Sequence, residues 1–335
     1  MVVLTLDNLL LSRVKTVGNA DARPSAIVCT EEAAGTIADL VRESLAPNTR
    51  AAYLSDLAHF ENWGGRIPAE PDTVAAYLAT HADALSVATL NRRLAALAKV
   101  HRSHGVANPT SSELVKSVLR GLKRVKGTAQ RQAKPLLKED LILALDATGE
   151  GLRDLRDRAL LLIGFAVGFR RSELVGLTFG DVELVRQGIV ITLRRSKTDQ
   201  DGIGRKIGIP YARGRRCPIV ALREWFDASN ITEGALFRPI DRHGRMQEKP
   251  LSAEAVCLVV KERVRRAGID PNGYSGHSLR AGLATSASQA GVSARKIRQQ
   301  TGHTSDAMLA RYVRDGALRA NDHETSESEE FSLGA

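Results

Sequence analysis

Cysteine is scarce in this sequence of 335 residues, which contains three. Cys29, Cys217 and Cys257 lie far apart, and no two of them form a CxxC pair. This spacing argues against a disulfide framework and against a zinc site built from cysteines. The cysteine content therefore fits a reducing compartment.

Long apolar runs are missing as well. Near the N-terminus Asp7 and Asn8 interrupt the apolar pattern, and no basic residue precedes it, which is unlike a secretion signal. The run ALLLIGFAVGF at 159–169 is well short of the roughly 20 residues that span a bilayer. We therefore expect a cytoplasmic protein that has no membrane partner, with a buried helix at 159–169.

Acidic residues are in deficit, with 38 Asp and Glu against 48 Lys and Arg, for a formal net charge of +10. Such a balance indicates an anionic partner, either nucleic acid or an acidic membrane surface. The acids that do occur include five between 322 and 330, where no Lys or Arg accompanies them. Residues 321–335 are therefore predicted to form an acidic tail that is disordered in isolation.

Helical periodicity organises the first part of the chain. Residues 1–40 show no sustained period and are predicted to be an N-terminal extension. Beyond them, apolar residues recur at helical spacing in three stretches. The three stripes are Tyr53, Leu57 and Phe60; Leu90, Leu94 and Leu97; and Leu114, Val118 and Leu122. They predict a helical domain over residues 41–126.

The third stripe lies in a stretch that carries one sign of charge. Residues 114–138 contain eight Lys or Arg and no acid. A solvated helix face is the usual explanation of a charge run, but such faces tend to mix both signs. The one-sided charge therefore favours a surface that faces DNA, followed by a basic linker at 127–136.

Residues 137–320 have the pattern of a second domain. β-Branched residues at 188–193 and 205–210 predict two strands, joined by a hairpin-like connection rich in turn residues. Helices are predicted at 138–147, 152–169, 218–228, 251–267, 278–290, 293–300 and 305–318. The expected fold class is mainly α with a small antiparallel β-sheet, in two domains.

Arg170 and Glu173 form the first pair of candidate site residues. Arg170 follows a buried apolar helix, where a guanidinium can be held rigidly while it faces a cleft, and a nearby carboxylate can orient it. The alternative is a structural ion pair between Glu173 and either Arg170 or Arg171. Lys197 lies in the turn RRSKTDQ, where a phosphate contact is the more ordinary role.

His277 and Arg280, in SGHSLRAG, lie three residues apart near the predicted start of a helix. Two donors beside the positive end of a helix favour an anion such as phosphate. His303 and Tyr312 follow in TGHTSDAMLARYVRDG. Taken singly, a His is more often a satisfied core residue and a Tyr more often anchors a helix face, so only the whole set indicates a site.

This ordered set resembles the signature of the tyrosine recombinase (phage integrase) family. That signature is an Arg in a GLRxSEL-like box, a hairpin Lys, an HxLR box, a GH or GW dipeptide and a following Tyr. In this chain the boxes read GFRRSEL, RSKTD, HSLR, TGHT and RYV. The phrases SGHS and AGVS look like those of Cre-type members. The resemblance spans about residues 40–318 and implies a C-shaped clamp made of a helical core-binding domain and an α-rich catalytic domain.

By this resemblance, seven residues carry the chemistry of a site-specific DNA recombinase. Four of them grip the scissile phosphate: Arg170, His277, Arg280 and His303. Glu173 supports them, Lys197 is the general acid, and Tyr312 is the nucleophile of a covalent 3′-phosphotyrosyl intermediate on the way to a Holliday junction. Lys206, on the same predicted hairpin, is the alternative to Lys197.

The chain departs from the family pattern at two places. Many members have a second His after the Arg of the HxLR box, where this chain has Ala281. Many also have Leu before the GH dipeptide, where this chain has Thr301. Neither departure removes a reacting group.

The implied partners are double-stranded DNA recombination sites, bound by a homotetramer that assembles from free monomers. No cofactor, metal or ATP is expected. Guanidinium and imidazole donors can stabilise the developing charge, and a phosphotyrosyl bond keeps the energy for rejoining. The candidate DNA contacts are Arg50, Arg92, Arg93, Lys116, Arg120, Lys123, Arg124, Lys126 and Arg195.

Three alternative functions lead to different expectations. A type IB topoisomerase shares the chemistry but relaxes DNA without a partner site. A non-catalytic architectural protein predicts that one reacting group is absent, and none is. A metal-dependent nuclease using His277 and His303 would need a carboxylate cluster, which does not accompany them. The segment GIGRKIG at 202–208 lacks the GxGxxG spacing of a dinucleotide loop.

Overall fold

The computed structural model describes residues 31–129, 132–194, 204–303, 305 and 309. The chain divides into two compact units, Met1–Arg131 and Gln132–Ala335. The division falls inside the stretch that was predicted to be a basic linker. The predicted fold class, mainly α with a small antiparallel sheet, is confirmed.

The described part of the first unit contains five α-helices. They are α1 (Glu31–Glu43), α2 (Pro47–Asn62), α3 (Pro71–Thr80), α4 (Val87–His104) and α5 (Glu113–Lys126). Proline opens α2 and α3, since the first helical N–H needs no intrahelical partner. Ser86 and Ser112 cap α4 and α5 by accepting hydrogen bonds from the N–H groups of Thr89 and Val115 at 3.1 and 3.3 Å.

Two details of the first unit differ from the sequence expectation. Helix α1 begins at Glu31, inside the stretch 1–40 that was expected to be a partly ordered extension without a sustained period. On α5 the buried face is centred on Val115, with Val118 and Leu122 packed partly against the core, whereas Leu114 is 44% exposed. The pattern identified the correct face of α5 but placed its first residue one position early.

The second unit contains the sheet and the remaining described helices. In chain order these are α6 (Lys138–Asp146), α7 (Leu152–Val167), α8 (Arg171–Val175), β1 (Val182–Val185), β2 (Gly188–Leu193), β3 (Arg205–Pro210), α9 (Pro218–Ser229), α10 (Ala253–Arg266), α11 (Ser278–Gln289) and α12 (Ala294–Thr301). The sequence did not predict α8 and β1, which have five and four residues. Segments this short show too little periodicity to be recognised.

The sheet is antiparallel throughout, in the order β1-β2-β3. Ile191 of β2 pairs with Val182 of β1 and with Ile207 of β3. Ile189, Ile191 and Leu193 alternate along β2 and are buried. One face of the sheet therefore packs onto the helical core.

A buried ion network joins α7 to α10. Arg263 is 1% exposed, and its Nε and Nη2 donate to Oδ2 of Asp157 at 2.9 and 2.6 Å. Nη2 of Arg156 donates to the other oxygen of the same carboxylate at 2.6 Å. Loss of one partner would leave a buried charge without compensation, so this network locks the two helices together.

Close backbone packing positions the start of α11. The N–H of Leu136 donates to the carbonyl of Ser278 at 3.0 Å. A Cβ atom at Gly282 would lie 1.8 Å from the carbonyl oxygen of Leu136. The extended segment before α6 can therefore cross α11 only because residue 282 has no side chain.

Within the described ranges, none of the helices has the length and apolar character that crossing a bilayer requires.

We expect Gly282→Ala to lower the free energy of unfolding of the second unit by about 3 kcal/mol, because the added methyl group meets backbone atoms that cannot move aside. Chemical denaturation followed by circular dichroism measures this. The control is Gly208→Ala, at an exposed position of β3 where an added Cβ has no heavy atom within 4 Å. Equal stability of the two variants would contradict the proposed packing constraint.

Candidate active site

Arg170 is held at a sharp turn between α7 and α8. Helix α7 ends at Gly168, whose φ of 67° suits glycine, and Arg170 is the N-terminal cap of α8. The backbone N–H of Arg170 donates to Oε2 of Glu173 at 2.9 Å, and its Nη1 donates to Oε1 at 2.5 Å. The carboxylate is buried and the guanidinium is 15% exposed, so Glu173 orients a cation that keeps contact with solvent.

Arg280 is buried in the first turn of α11, with a relative exposure of 1%. Its Nη1 donates to the carbonyls of Gly168 at 2.8 Å and Thr301 at 2.5 Å, and its Nε donates to Nε2 of His303 at 3.2 Å. Both carbonyls lie at helix C-termini, which carry partial negative charge. The ends of α7 and α12 therefore hold this guanidinium in one orientation.

His277 forms the N-terminal cap of α11 and is exposed. Its backbone N–H donates to Oγ of Ser275 at 3.2 Å, which closes the turn before the helix. Partial desolvation lowers the pKa of the ring, and the charges of Arg280, Arg170 and Arg171 lower it further. His277 and Arg280 thus share the start of one helix, as their spacing predicted.

His303 lies behind Arg280 and is 5% exposed. Its Nδ1 is 2.7 Å from Oγ1 of Thr301, and its Nε2 accepts from Arg280. Burial lowers its pKa from 6.5 to about 3, together with the charges of Arg280, Arg170, His277 and Arg205. The ring is therefore neutral near pH 7.

Arg205 belongs to the same cluster and was not predicted from the sequence. It begins β3, and its guanidinium donates to the carbonyls of Gln300 at 3.1 Å and Thr301 at 3.4 Å. Desolvation lowers its pKa, the charge of Glu173 opposes this, and the charge of Arg170 adds to it. No sequence signal distinguishes Arg205 from other strand residues, because its role depends on the end of α12.

The cluster is strongly positive. The charges of Arg170, Arg205 and Arg280 all reach the ring of His303, and Glu173 supplies a buried counter-charge. Preorganised guanidinium and imidazole groups of this kind suit an anion with several oxygens. In the part of the chain that the structure describes, no three His, Cys, Asp or Glu side chains are grouped to hold a metal ion.

Lys197, Arg195 and Tyr312 lie outside the described residues. Leu309, three positions before Tyr312, is 1% exposed and packs against Ala284 of α11 and Ile297 of α12. The alternative lysine, Lys206, pairs with Thr192 in the sheet and is exposed. The structure therefore brings together Arg170, Glu173, His277, Arg280 and His303 from the predicted set.

The candidate DNA contacts of the first unit have different environments. Arg93 is 8% exposed and donates to the hydroxyl of Tyr77 at 2.7 Å, so burial removes it from the exposed surface that the DNA prediction assumed. Arg92 is half exposed but forms two 2.8 Å bonds to the buried carboxylate of Asp56. Nη2 of Arg50 lies 3.5 Å from Oε1 of Glu43.

Helix α5 carries the other candidates of that unit. Lys116, Lys123 and Arg124 are exposed. Arg120 pairs with Glu113 on the same helix. Nζ of Lys126 donates to the carbonyls of residues 83 and 85 at 3.1 and 3.2 Å, which ties the end of α5 to the turn after α3.

Comparison with known families gives two matches. Residues 134–318 match the phage integrase family, and residues 38–103 match the phage integrase N-terminal SAM-like domain. An integrase/recombinase XerD homologue of Selenomonas ruminantium is 39% identical over 288 residues, which are 83% of this chain and 84% of the relative. The Cre recombinase of Escherichia phage P1 is 26% identical over 74% of this chain and 77% of the relative. Cre is thus one relative among several.

Solved structures show the same fold. A lambda integrase dimer bound to a COC′ core site has a TM-score of 0.59 and 17% identity, covering 82% of this chain and 91% of that chain. The XerH recombinase bound to a palindromic difH substrate has a TM-score of 0.59 and 16% identity, covering 96% and 94%. At these identities the likeness is one of fold.

The lowered pKa of His303 should make the free energy of unfolding of the DNA-free protein depend on pH. Between its folded value of about 3 and its ordinary value of 6.5, the unfolded chain binds a proton that the folded chain excludes. Stability should therefore fall as the pH drops through this interval, by at most about 1.4 kcal/mol per pH unit from this group.

We expect His303→Gln to lose less stability than the wild type as the pH is lowered, measured by chemical denaturation between about pH 7 and pH 4. The control is His243→Gln, at an exposed position, which should keep the wild-type slope. An unchanged slope in His303→Gln would show that the buried ring is not the source.

Proposed function

Since the chain belongs to the phage integrase family of tyrosine recombinases, we propose that it cuts and rejoins DNA at specific sites through a 3′-phosphotyrosyl intermediate on Tyr312. One observation carries the proposal. Arg170, Arg280 and His277 come from two separated boxes of the sequence, yet their charges converge on one buried ring, that of His303. The negative charge of a phosphodiester bound at this cluster would balance the positive charge of its arginines.

In this proposal, the cluster binds the scissile phosphate and stabilises its charge. Attack on phosphorus builds negative charge on the non-bridging oxygens, and two guanidinium groups can share that charge. Arg170 is oriented by Glu173, and Arg280 by two helix ends and His303. Because these orientations exist before DNA binds, little reorganisation is needed when the charge develops. This supports catalysis without a metal or ATP.

Tyr312 and Lys197 supply the bond changes in this proposal. The phenolate oxygen of Tyr312, formed by loss of the phenolic proton to solvent, forms a bond to phosphorus while the bond from phosphorus to the 5′ oxygen breaks. Lys197 protonates that leaving oxygen, a role worth roughly 10²–10⁴ in rate. The phosphotyrosyl diester keeps the bond energy, so a 5′ hydroxyl from another strand can reverse the step without ATP.

Exchange between two sites requires several active sites on one DNA assembly. We therefore propose a homotetramer on two synapsed sites, assembled from monomers, that passes through a Holliday junction. Its partner is double-stranded DNA, and its place is the cytoplasm, in association with DNA.

Helix α5 is the proposed DNA-facing surface of the first unit. Lys116, Arg120, Lys123 and Arg124 fall within about 100° of arc around the helix axis, on the side away from Val115. A row of exposed cations on one side of a helix suits contact with the phosphate backbone. Lys126 is bonded to backbone carbonyls and has a structural role beside this row.

Tyr312→Phe should bind its DNA site but form no covalent protein–DNA adduct, because the phenylalanine ring has no nucleophilic oxygen. The protein is incubated with sheared genomic DNA of its host and then denatured. Adducts are counted on a denaturing gel, and the trapped DNA ends are sequenced to identify the site. The matched control is Tyr211→Phe, which removes a hydroxyl from a tyrosine that is 45% exposed. An adduct of normal yield in Tyr312→Phe would overturn the assignment.

Replacing Lys123 and Arg124 together by alanine should weaken DNA binding for all sequences alike. The slope of log K against log salt should become shallower by roughly one to two units, since each lost phosphate contact removes about 0.9 from the slope. Fluorescence anisotropy at several salt concentrations measures this. The control removes the same charge with Arg66→Ala and Arg102→Ala, two exposed arginines outside α5. Equal salt dependence of DNA binding in the two double variants would show that α5 is not the DNA-facing surface.

A further inference from the structure

A continuous chain of hydrogen bonds runs from Arg280 into the last turn of α12. Nε of Arg280 donates to Nε2 of His303 at 3.2 Å. Nδ1 of His303 lies 2.7 Å from Oγ1 of Thr301, and that hydroxyl donates to the carbonyl of Ile297 at 2.7 Å. Arg280, His303, Thr301 and Ile297 are all at most 5% exposed, so water does not compete for these bonds.

Elementary chemistry fixes the direction of every proton in this chain. A guanidinium has donors and no acceptor, so Nε2 of His303 must present its lone pair to Arg280. The neutral ring then carries its proton on Nδ1, which must donate to Oγ1 of Thr301. The hydroxyl of Thr301 can accept that bond because its own proton points to the carbonyl of Ile297. The low pKa of His303 agrees with a neutral ring.

We propose that Thr301 is a positioning residue, which holds His303 in the Nδ1–H tautomer and thereby fixes the guanidinium of Arg280. In the absence of DNA, this tautomer directs the lone pair of Nε2 of His303 at the guanidinium of Arg280. The other tautomer would set an N–H of His303 against the N–H of Arg280. A third group that orients a histidine and selects its tautomer can be worth orders of magnitude in rate.

The backbone of Thr301 adds to this role. Its carbonyl accepts from Arg280 at 2.5 Å and from Arg205 at 3.4 Å. One residue thus contacts Arg280 directly through its carbonyl and indirectly through its hydroxyl. Leucine, which many family members have at this position, could supply the carbonyl but not the hydroxyl. The hydroxyl is therefore the part of Thr301 that an experiment must isolate.

Thr301→Val removes the hydroxyl at nearly constant shape, and Thr301→Ser restores it. The first measurement needs no DNA. In protein labelled with ¹⁵N-histidine, the two ring nitrogens of His303 are assigned by their loss in His303→Gln. We expect Nδ1 to be protonated and Nε2 unprotonated in the wild type and in Thr301→Ser. In Thr301→Val the two signals should shift towards each other as the tautomers mix. Wild-type signals in Thr301→Val, or a protonated Nε2 in the wild type, would overturn the proposal.

The second measurement connects the tautomer to catalysis and rests on the proposed function. Covalent adduct formation is timed on the DNA duplex recovered from trapped ends. Thr301→Val should slow it by at least about tenfold with unchanged DNA affinity, since a displaced positioning group costs up to about 10² in rate. Thr301→Ser should stay within about twofold of the wild type. An unchanged rate in Thr301→Val would overturn the catalytic role of Thr301. Absence of an adduct in the wild type would instead overturn the proposed function and leave the tautomer result standing.

Discussion

The burial of the Arg280 guanidinium is the interaction on which the second unit depends. Removing a full charge from water is costly unless neighbouring groups compensate it. Here the compensation comes from Gly168 at the end of α7, Thr301 at the end of α12, and His303. Helix C-termini have carbonyls without intrahelical partners, so the arginine and the two helix ends satisfy one another. The same bonds that stabilise the fold therefore also orient the guanidinium of Arg280.

A second arginine repeats this arrangement at one of those helix ends. Arg205 caps the last carbonyls of α12 from the start of β3. Because Arg205 begins β3, these bonds tie that strand to the segment of His303. Burial lowers the pKa of both His277 and His303, and the positive charges of the cluster lower it further. The positive cluster is therefore formed before an anion binds.

The arginines of the first unit show that residue type alone does not determine the role of a side chain. Arg92 and Arg93 are adjacent in sequence, yet the half-exposed Arg92 pairs with the buried Asp56, and Arg93 is buried against Tyr77. Both serve the helical core, because a buried carboxylate and a buried hydroxyl need donors. By contrast, α5 carries exposed cations in a row on one side of the helix. A basic composition indicates an anionic partner, but only the burial and the bonding partners of each side chain separate candidate phosphate contacts from structural donors.

The sequence by itself determined the fold class, the principal helices, strands β2 and β3, and the set of boxes around Arg170, His277, Arg280 and His303. Periodicity and spacing are local properties, and a chain carries them without being folded. Tertiary structure alone decided that Gly282 permits the crossing at Leu136, that Arg205 joins the site, and that Thr301 links His303 to α12. Those contacts join residues distant in sequence, or depend on where a helix ends in space. No local pattern records them, because their partners are chosen by packing.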